Sequence, residues 1–169
     1  MKKHVFSIIL LLCGTRCWSQ TYISLAPSLT NTAGTVADKA NIALEIGQQW
    51  DVFSLGIDLG KTTLSRSNGK DTSLYMELRP NLNVFQQGKF TNTFTPGIGY
   101  IFNARENLLI EFTTGIEYSY SERFHINVFF GQYFYSGLRS ASNVNFFGFS
   151  GVLYFASSKS GSLIKQSFK

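Results

Sequence analysis

Residues 40–60 read ANIALEIGQQWDVFSLGIDLG, and their spacing decides the fold. Between positions 40 and 50, Ala40, Ile42, Leu44, Ile46 and Trp50 share one face, while Asn41, Glu45, Gly47 and Gln49 share the other. After a break near Asp51 the alternation becomes strict, with Phe53, Leu55, Ile57 and Leu59 set against Ser54, Gly56, Asp58 and Gly60. Successive side chains of a strand point to opposite sides of the pleat, so a period of two marks a strand with one apolar and one polar face. Two such runs joined by a few residues predict an antiparallel hairpin.

The same pattern recurs outward along the chain. Positions 74–84 place Leu74, Met76, Leu78, Leu82 and Val84 opposite Tyr75, Glu77, Arg79, Asn81 and Asn83. Positions 108–118 place Ile110, Phe112, Ile116 and Tyr118 opposite Glu111, Thr113, Gly115 and Glu117. Noisier segments at 22–29, 90–102, 124–135 and 144–155 bring the expected strands to eight. Pro27, Pro80 and Pro96 fall inside them and remove ladder donors, so each is expected at a bulge, a strand end or a similar irregularity. No helical period with caps interrupts the series, and nothing after the first twenty residues approaches the roughly 20 apolar residues of a membrane-spanning helix.

The first residues follow a different logic. Lys2 and Lys3 precede an apolar run from Val5 to Leu12, then small and polar residues, the layout of a secretory signal with cleavage expected after Ser19. Cys13 and Cys17 lie within it, so residues 20–155 would fold without thiols or disulfides. Leu12 and Arg16 precede those cysteines where a lipidated cysteine wants a small residue. Taking Lys2, Lys3 and Arg16 from the 15 basic residues leaves 12 against 10 acidic ones, a net charge near +2 in place of +5. That scattered remainder, without a recognisable motif, argues against nucleic-acid binding. Residues 156–169 are Ser-rich and basic, with Lys159, Lys165 and Lys169, and read as a flexible periplasmic tail.

The connections distinguish a membrane barrel from a soluble one. Those at 31–39, 61–72 and 136–143 are long and polar, those at 48–52, 86–89 and 121–123 are tight, and only 103–107 is short where the rhythm calls for length. Alternating turns and loops with an even strand number is the habit of outer-membrane barrels, whose short turns face the periplasm. Trp50, Phe85, Phe90, Tyr118, Tyr120 and Phe124 gather toward the turns, and Phe102, Tyr133 and Tyr135 toward the loops, as interfacial girdles do.

On these features the chain resembles the small eight-stranded outer-membrane barrel proteins, the class of OmpX and the OmpA transmembrane domain, over residues 20–155. The resemblance implies an all-β, antiparallel up-and-down transmembrane barrel at the cell outer membrane. It implies a last strand, here carrying Phe147, Phe149, Leu153 and Phe155, that is read by the barrel-assembly machinery. Such proteins often stop at that aromatic residue, whereas this chain continues to Lys169.

With its apolar set facing lipid, the barrel keeps Glu45, Asp58, Glu77, Arg79, Glu111, Glu117 and His125 in the lumen. Eight strands enclose little more than their own side chains, so these charges must pair, and Arg79 is expected to bridge two or more acids. Four uses compete: a packed polar plug in a structural or adhesive surface protein; a narrow cation-preferring pore; a soluble calycin-like lipid carrier with the faces reversed; and a lipid A-modifying enzyme. The last is weakest, because His125 has Asn127 two positions on, where a deacylase pattern would place Ser. Lys39, Lys61, Arg66, Lys70, Arg105 and Arg139 fall toward the long loops, where cations meet the phosphates of lipopolysaccharide. The expectation is thus a non-enzymatic monomer that needs no cofactor or metal and whose partners are outer-membrane lipid and lipopolysaccharide.

Overall fold

The computed structural model describes residues 19–31, 39–66, 69–102, 108–135 and 144–155. The expected signal at 1–19, apart from Ser19, and the tail at 156–169 lie outside these residues. Eight strands follow one another as β1 (Gln20–Asn31), β2 (Lys39–Trp50), β3 (Phe53–Arg66), β4 (Gly69–Gln87), β5 (Phe90–Ile101), β6 (Leu108–Ser119), β7 (Phe124–Tyr135) and β8 (Val144–Tyr154). Each pairs antiparallel with its neighbour in sequence, and β1 pairs with β8 from Tyr22↔Tyr154 to Asn31↔Asn145, closing the barrel. Closure leaves no free edge, so every strand finds ladder partners on both sides.

Two of the tight turns owe their shape to single residues. Asp51, at φ 39°, turns β2 into β3, and its carbonyl accepts from Gln49 Nε2 at 2.7 Å and from Asn83 Nδ2 at 3.3 Å. Gly88, at φ 61°, turns β4 into β5 with open space where a side chain would stand. A short polar residue or glycine is what the left-handed region admits. Between β6 and β7, Ser121 Oγ caps the turn by accepting from the Phe124 amide at 3.0 Å.

The hairpin of β3 and β4 differs from the expectation of a polar loop over 61–72. Pairing continues from Lys61↔Leu74 to Arg66↔Gly69. Lys61, Arg66 and Lys70 therefore stand on strands, as does Lys39 at the start of β2, while Arg105 and Arg139 lie outside the described residues. Above the apolar band neither face of a hairpin needs to be apolar, so hydrophobic alternation disappears while backbone pairing persists.

The prolines interrupt ladders without shifting them. Pro80 and Pro96 face each other across β4 and β5, where pairing lapses between Leu78↔Ile98 and Leu82↔Phe94 and resumes in the same register. Pro27 sits in a similar lapse between Leu25↔Gly151 and Ser28↔Gly148. The bulge in β4 lies elsewhere, between Asn83 and Phe85.

Polarity is inverted relative to a water-soluble domain. Leu25, Ile46, Ile57, Leu78, Ile98, Phe112, Phe130 and Phe149, one from each strand, are exposed, while Glu77, Glu111 and Asp58 are 1%, 1% and 2% exposed. A carboxyl group inside a protein is costly unless it is paired, hydrogen-bonded or neutralised.

Candidate functional site: the barrel interior

Parity along each strand delivers the inward set, and the shear of the barrel decides who meets whom. Three tiers result. At mid-height Arg79, on β4, reaches across the lumen: Nη1 donates to Glu45 of β2 at 2.8 Å and Nη2 to Glu111 of β6 at 2.8 Å. Glu45 also accepts from the Tyr22 hydroxyl at 2.5 Å, Glu111 accepts from Thr113 Oγ1, and Asp58 accepts from the Tyr75 hydroxyl at 2.8 Å. Glu77 stands beside them with neither carboxylate oxygen hydrogen-bonded, and Asp58 Oδ1 is likewise without a donor. Four carboxyl groups thus share one guanidinium. A charge-assisted fork of this kind holds opposite walls of the barrel at a fixed spacing.

Room for these side chains comes from glycine. A Cβ at Gly56 would run into the Glu45 carboxylate, and one at Gly97 into that of Glu77. The lumen is too narrow for both a wall side chain and the acid that crosses in front of it.

Toward the loops the interior is apolar. Ile101 and Leu109 are 0% exposed and pack with Ala26, Tyr75, Phe129, Tyr133, Val144 and Phe146. Tyr133 lies against Phe146 with ring centroids 4.1 Å apart and planes 20° from parallel. Its expected place in the outer girdle near the loops is therefore corrected: an odd position on β7 faces inward, where the ring stacks on Phe146, and Phe146 in turn covers Gly131, whose Cβ would strike it. The sequence does carry a signal for this plug. Ile101-Phe102, Leu108-Leu109, Phe129-Phe130 and Phe146-Phe147 are doubled apolar positions, each breaking the alternation where both faces become apolar.

Toward the turns a small apolar cluster of Tyr22, Val152 and Tyr154 stands among polar groups, and the interior is incompletely filled. His125 Nδ1 and Glu117 Oε1 are 2.6 Å apart, and the imidazole lies 4.7 Å from the Tyr154 ring, which in turn lies 5.8 Å from Tyr22. A cavity of about 50 Å³ opens here, lined among others by Gln49, Ser54, Asn81, Asn127 and Ser150. That volume holds a few waters, and Asn127 Oδ1, which has no partner among the protein groups, is placed to receive one. The charged groups anticipated on the polar face thus divide into a central cluster of Glu45, Asp58, Glu77, Arg79 and Glu111 and a separate Glu117–His125 pair near the turns. Among the described residues no group of three or more His, Cys, Asp or Glu side chains is arranged to hold a metal ion.

Comparison with solved structures follows from this geometry. Neisserial surface protein A superposes with a TM-score of 0.55 at 7% identity, covering 81% of this chain and 97% of that one. The N-terminal β-barrel domain of Pseudomonas aeruginosa OprF gives 0.51 at 12% identity, covering 80% and 99%. The Yersinia pestis outer membrane protein Ail, in a phospholipid bilayer nanodisc, gives 0.51 at 10% identity, covering 81% and 99%. The fold is that of the small eight-stranded outer-membrane barrels. The de novo designed TMB2.3 superposes equally well, with a TM-score of 0.53 at 12% identity, so the architecture follows from pattern and closure, with little demand on particular residues. No protein-family model matches the chain, and no curated protein resembles it in sequence.

Proposed function

We propose that this chain is an integral protein of a Gram-negative outer membrane, exported by the segment at 1–19, with a structural or surface-interaction role and a lumen closed to ions. The observation that carries the reading is the inverted polarity of a closed barrel. A belt of exposed Leu, Ile and Phe on every strand surrounds an interior that holds Glu77, Glu111 and Asp58. In water such a belt is far larger than the apolar patches soluble monomers tolerate, and in lipid it is the required surface.

Closure of the lumen follows from the loop-side plug. Ions entering by the turn-side cavity meet Tyr75, Tyr133, Phe146, Ile101 and Leu109 stacked above the Arg79 cluster. An apolar constriction of that depth excludes hydrated ions, which disfavours the cation-pore reading despite the acidic interior. Catalysis has equally little support, because His125 is engaged by Glu117 and Tyr154 inside the barrel and away from the lipid-facing surface.

Fractionation of expressing cells with a gel of unboiled and boiled samples tests the reading. A heat-sensitive mobility shift in the outer-membrane fraction is the expected result, and a soluble protein without a shift would overturn it. Planar bilayers should show no steady conductance steps from well-inserted protein. Lipid A from expressing cells should keep its mass.

A further inference from the structure

Solvent penetrates the barrel from one end only. Side-chain exposure falls from 18% at His125 and 15% at Glu117 to 12% at Arg79 and 11% at Glu45, and then to 1% at Glu111. The cavity of about 50 Å³ is therefore a blind recess that opens toward the turns and ends on the Glu45–Arg79 pair. Two of its walls are set by the ladder. The row Gln49↔Ser54↔Asn81 runs across β2, β3 and β4, and the row Glu117↔Asn127↔Ser150 runs across β6, β7 and β8, on the opposite side of an eight-stranded barrel. In the first row Gln49 Nε2 is engaged by the Asp51 carbonyl, and Asn81 Oδ1 accepts from Thr95 Oγ1 at 2.8 Å. The second row has an acceptor to spare. Asn127 Oδ1 is buried without a donor, beside the bare backbone of Gly115, and the Glu117 carboxylate next to it is held in place by His125. A third wall is apolar, the cluster of Tyr22, Val152 and Tyr154 on β1 and β8.

Charge decides the sign of an occupant. Among the described side chains five carboxyl groups face the lumen, Glu45, Asp58, Glu77, Glu111 and Glu117, against the guanidinium of Arg79 and the imidazole of His125. A recess lined with excess acid between low-dielectric walls concentrates cations and repels anions. Size and the apolar wall decide the kind of cation. At roughly 10–15 Å³ for each water-sized atom, the space takes about four such atoms. An alkylammonium ion carries three donors at one end and apolar carbons at the other, so it matches a row of acceptors that faces a wall of rings. A transition-metal ion fits less well, because among the described residues no three His, Cys, Asp or Glu side chains are grouped to ligate it.

We propose that this recess binds one short primary alkylammonium ion, with its ammonium group on the Glu117–Asn127–Ser150 row and its carbons against Tyr22, Val152 and Tyr154. Binding needs only the closed barrel and its inward set; that the ligand is a periplasmic amine rests on the outer-membrane reading, which turns the short turns to that side. The plug above Arg79 stops the cation where it binds, so the site is occupied without conducting.

The test is nuclear magnetic resonance of the full chain, isotope-labelled and folded in detergent micelles, titrated with propylammonium chloride. Amide signals of Glu117, Asn127 and Ser150 should shift saturably, in the millimolar range that so small a ligand permits. Ammonium chloride should need about tenfold more for half-saturation, since it lacks the buried carbons, and uncharged propanol should leave the signals in place. Glu117→Gln should weaken propylammonium about tenfold and Asn127→Leu roughly fivefold, through loss of a charged and of a neutral acceptor. Shifts that do not saturate, or that sodium chloride reproduces at the same concentration, would overturn the site, and so would equal half-saturation in wild type and both variants. The comparison of propylammonium with ammonium and propanol needs wild type alone, so it decides the matter even where a variant does not close. An unboiled gel of the same samples separates the two levels: a closed wild-type barrel without saturable shifts defeats this site alone, whereas no mobility shift in wild type defeats the outer-membrane reading beneath it.

Discussion

The loop half and the turn half of the lumen are enclosed by the same eight strands and filled by opposite means. Above Arg79 the interior is packed with rings and aliphatic chains, with Tyr133 stacked on Phe146 over the bare backbone of Gly131. Below it, hydroxyls, amides and the Glu117–His125 pair surround a cavity of about 50 Å³. Sheet closure fixes only the width of the tube, and parity fixes only which residues enter it. The filling is free to be dry or wet, so one barrel can be stabilised by van der Waals contact at one end and by directed bonds at the other.

The largest expected effect comes from the junction of the halves. Arg79→Ala removes the guanidinium that joins Glu45 and Glu111 and leaves buried carboxylates facing one another, a loss of about 4 kcal/mol in a urea titration of the refolded barrel. Phe146→Ala strikes the dry half alone and should cost about 3 kcal/mol, because the surrounding rings cannot collapse into the space. The two losses should add to within about 0.5 kcal/mol if the halves are energetically separate, and a larger coupling would show that the plug rests on the ionic cluster. Gly131→Val overfills the same layer and should cost about 2 kcal/mol. Glu77→Gln is the smallest change. It changes a carboxyl group that no donor satisfies, so stability should stay within about 1 kcal/mol of wild type or rise, and a loss as large as that of Arg79→Ala would mean that Glu77 holds the cluster together.

The strands and their order were legible because alternation is imposed by the boundary between lipid and lumen, and eight segments show it. Legibility failed where that boundary weakens. Residues 61–72 read as a loop because their sequence shows no alternating apolar face, yet the ladder runs on to Arg66↔Gly69. Tyr133 read as an outer aromatic because an amphipathic ring is at home both at a membrane interface and inside a polar tube. Parity assigned the acids to one face, but that Arg79 chooses Glu45 and Glu111 over Asp58 and Glu77 depends on the stagger between strands, which no single strand's sequence contains. Tyr22, Tyr75 and Tyr154 share that inward parity, and their hydroxyls and rings became partners of the acids and of His125 only once the register was set.

Pro80 and Pro96 oppose each other between β4 and β5, and neither owns an amide hydrogen. The hairpin they belong to is consequently two short ladders in series, one beside the turn from Leu82↔Phe94 to Gln87↔Phe90 and one beside the loop from Tyr75↔Ile101 to Leu78↔Ile98. Neither proline can donate across the middle, where Thr95 Oγ1 donates instead to Asn81 Oδ1 at 2.8 Å. During assembly the turn-side ladder can form as soon as the hairpin exists, while the loop-side ladder must wait for the wall on either side to hold it in line. In the finished barrel the seam is carried from outside, by the ladders that hold Pro80 opposite Leu55 and Pro96 opposite Phe112.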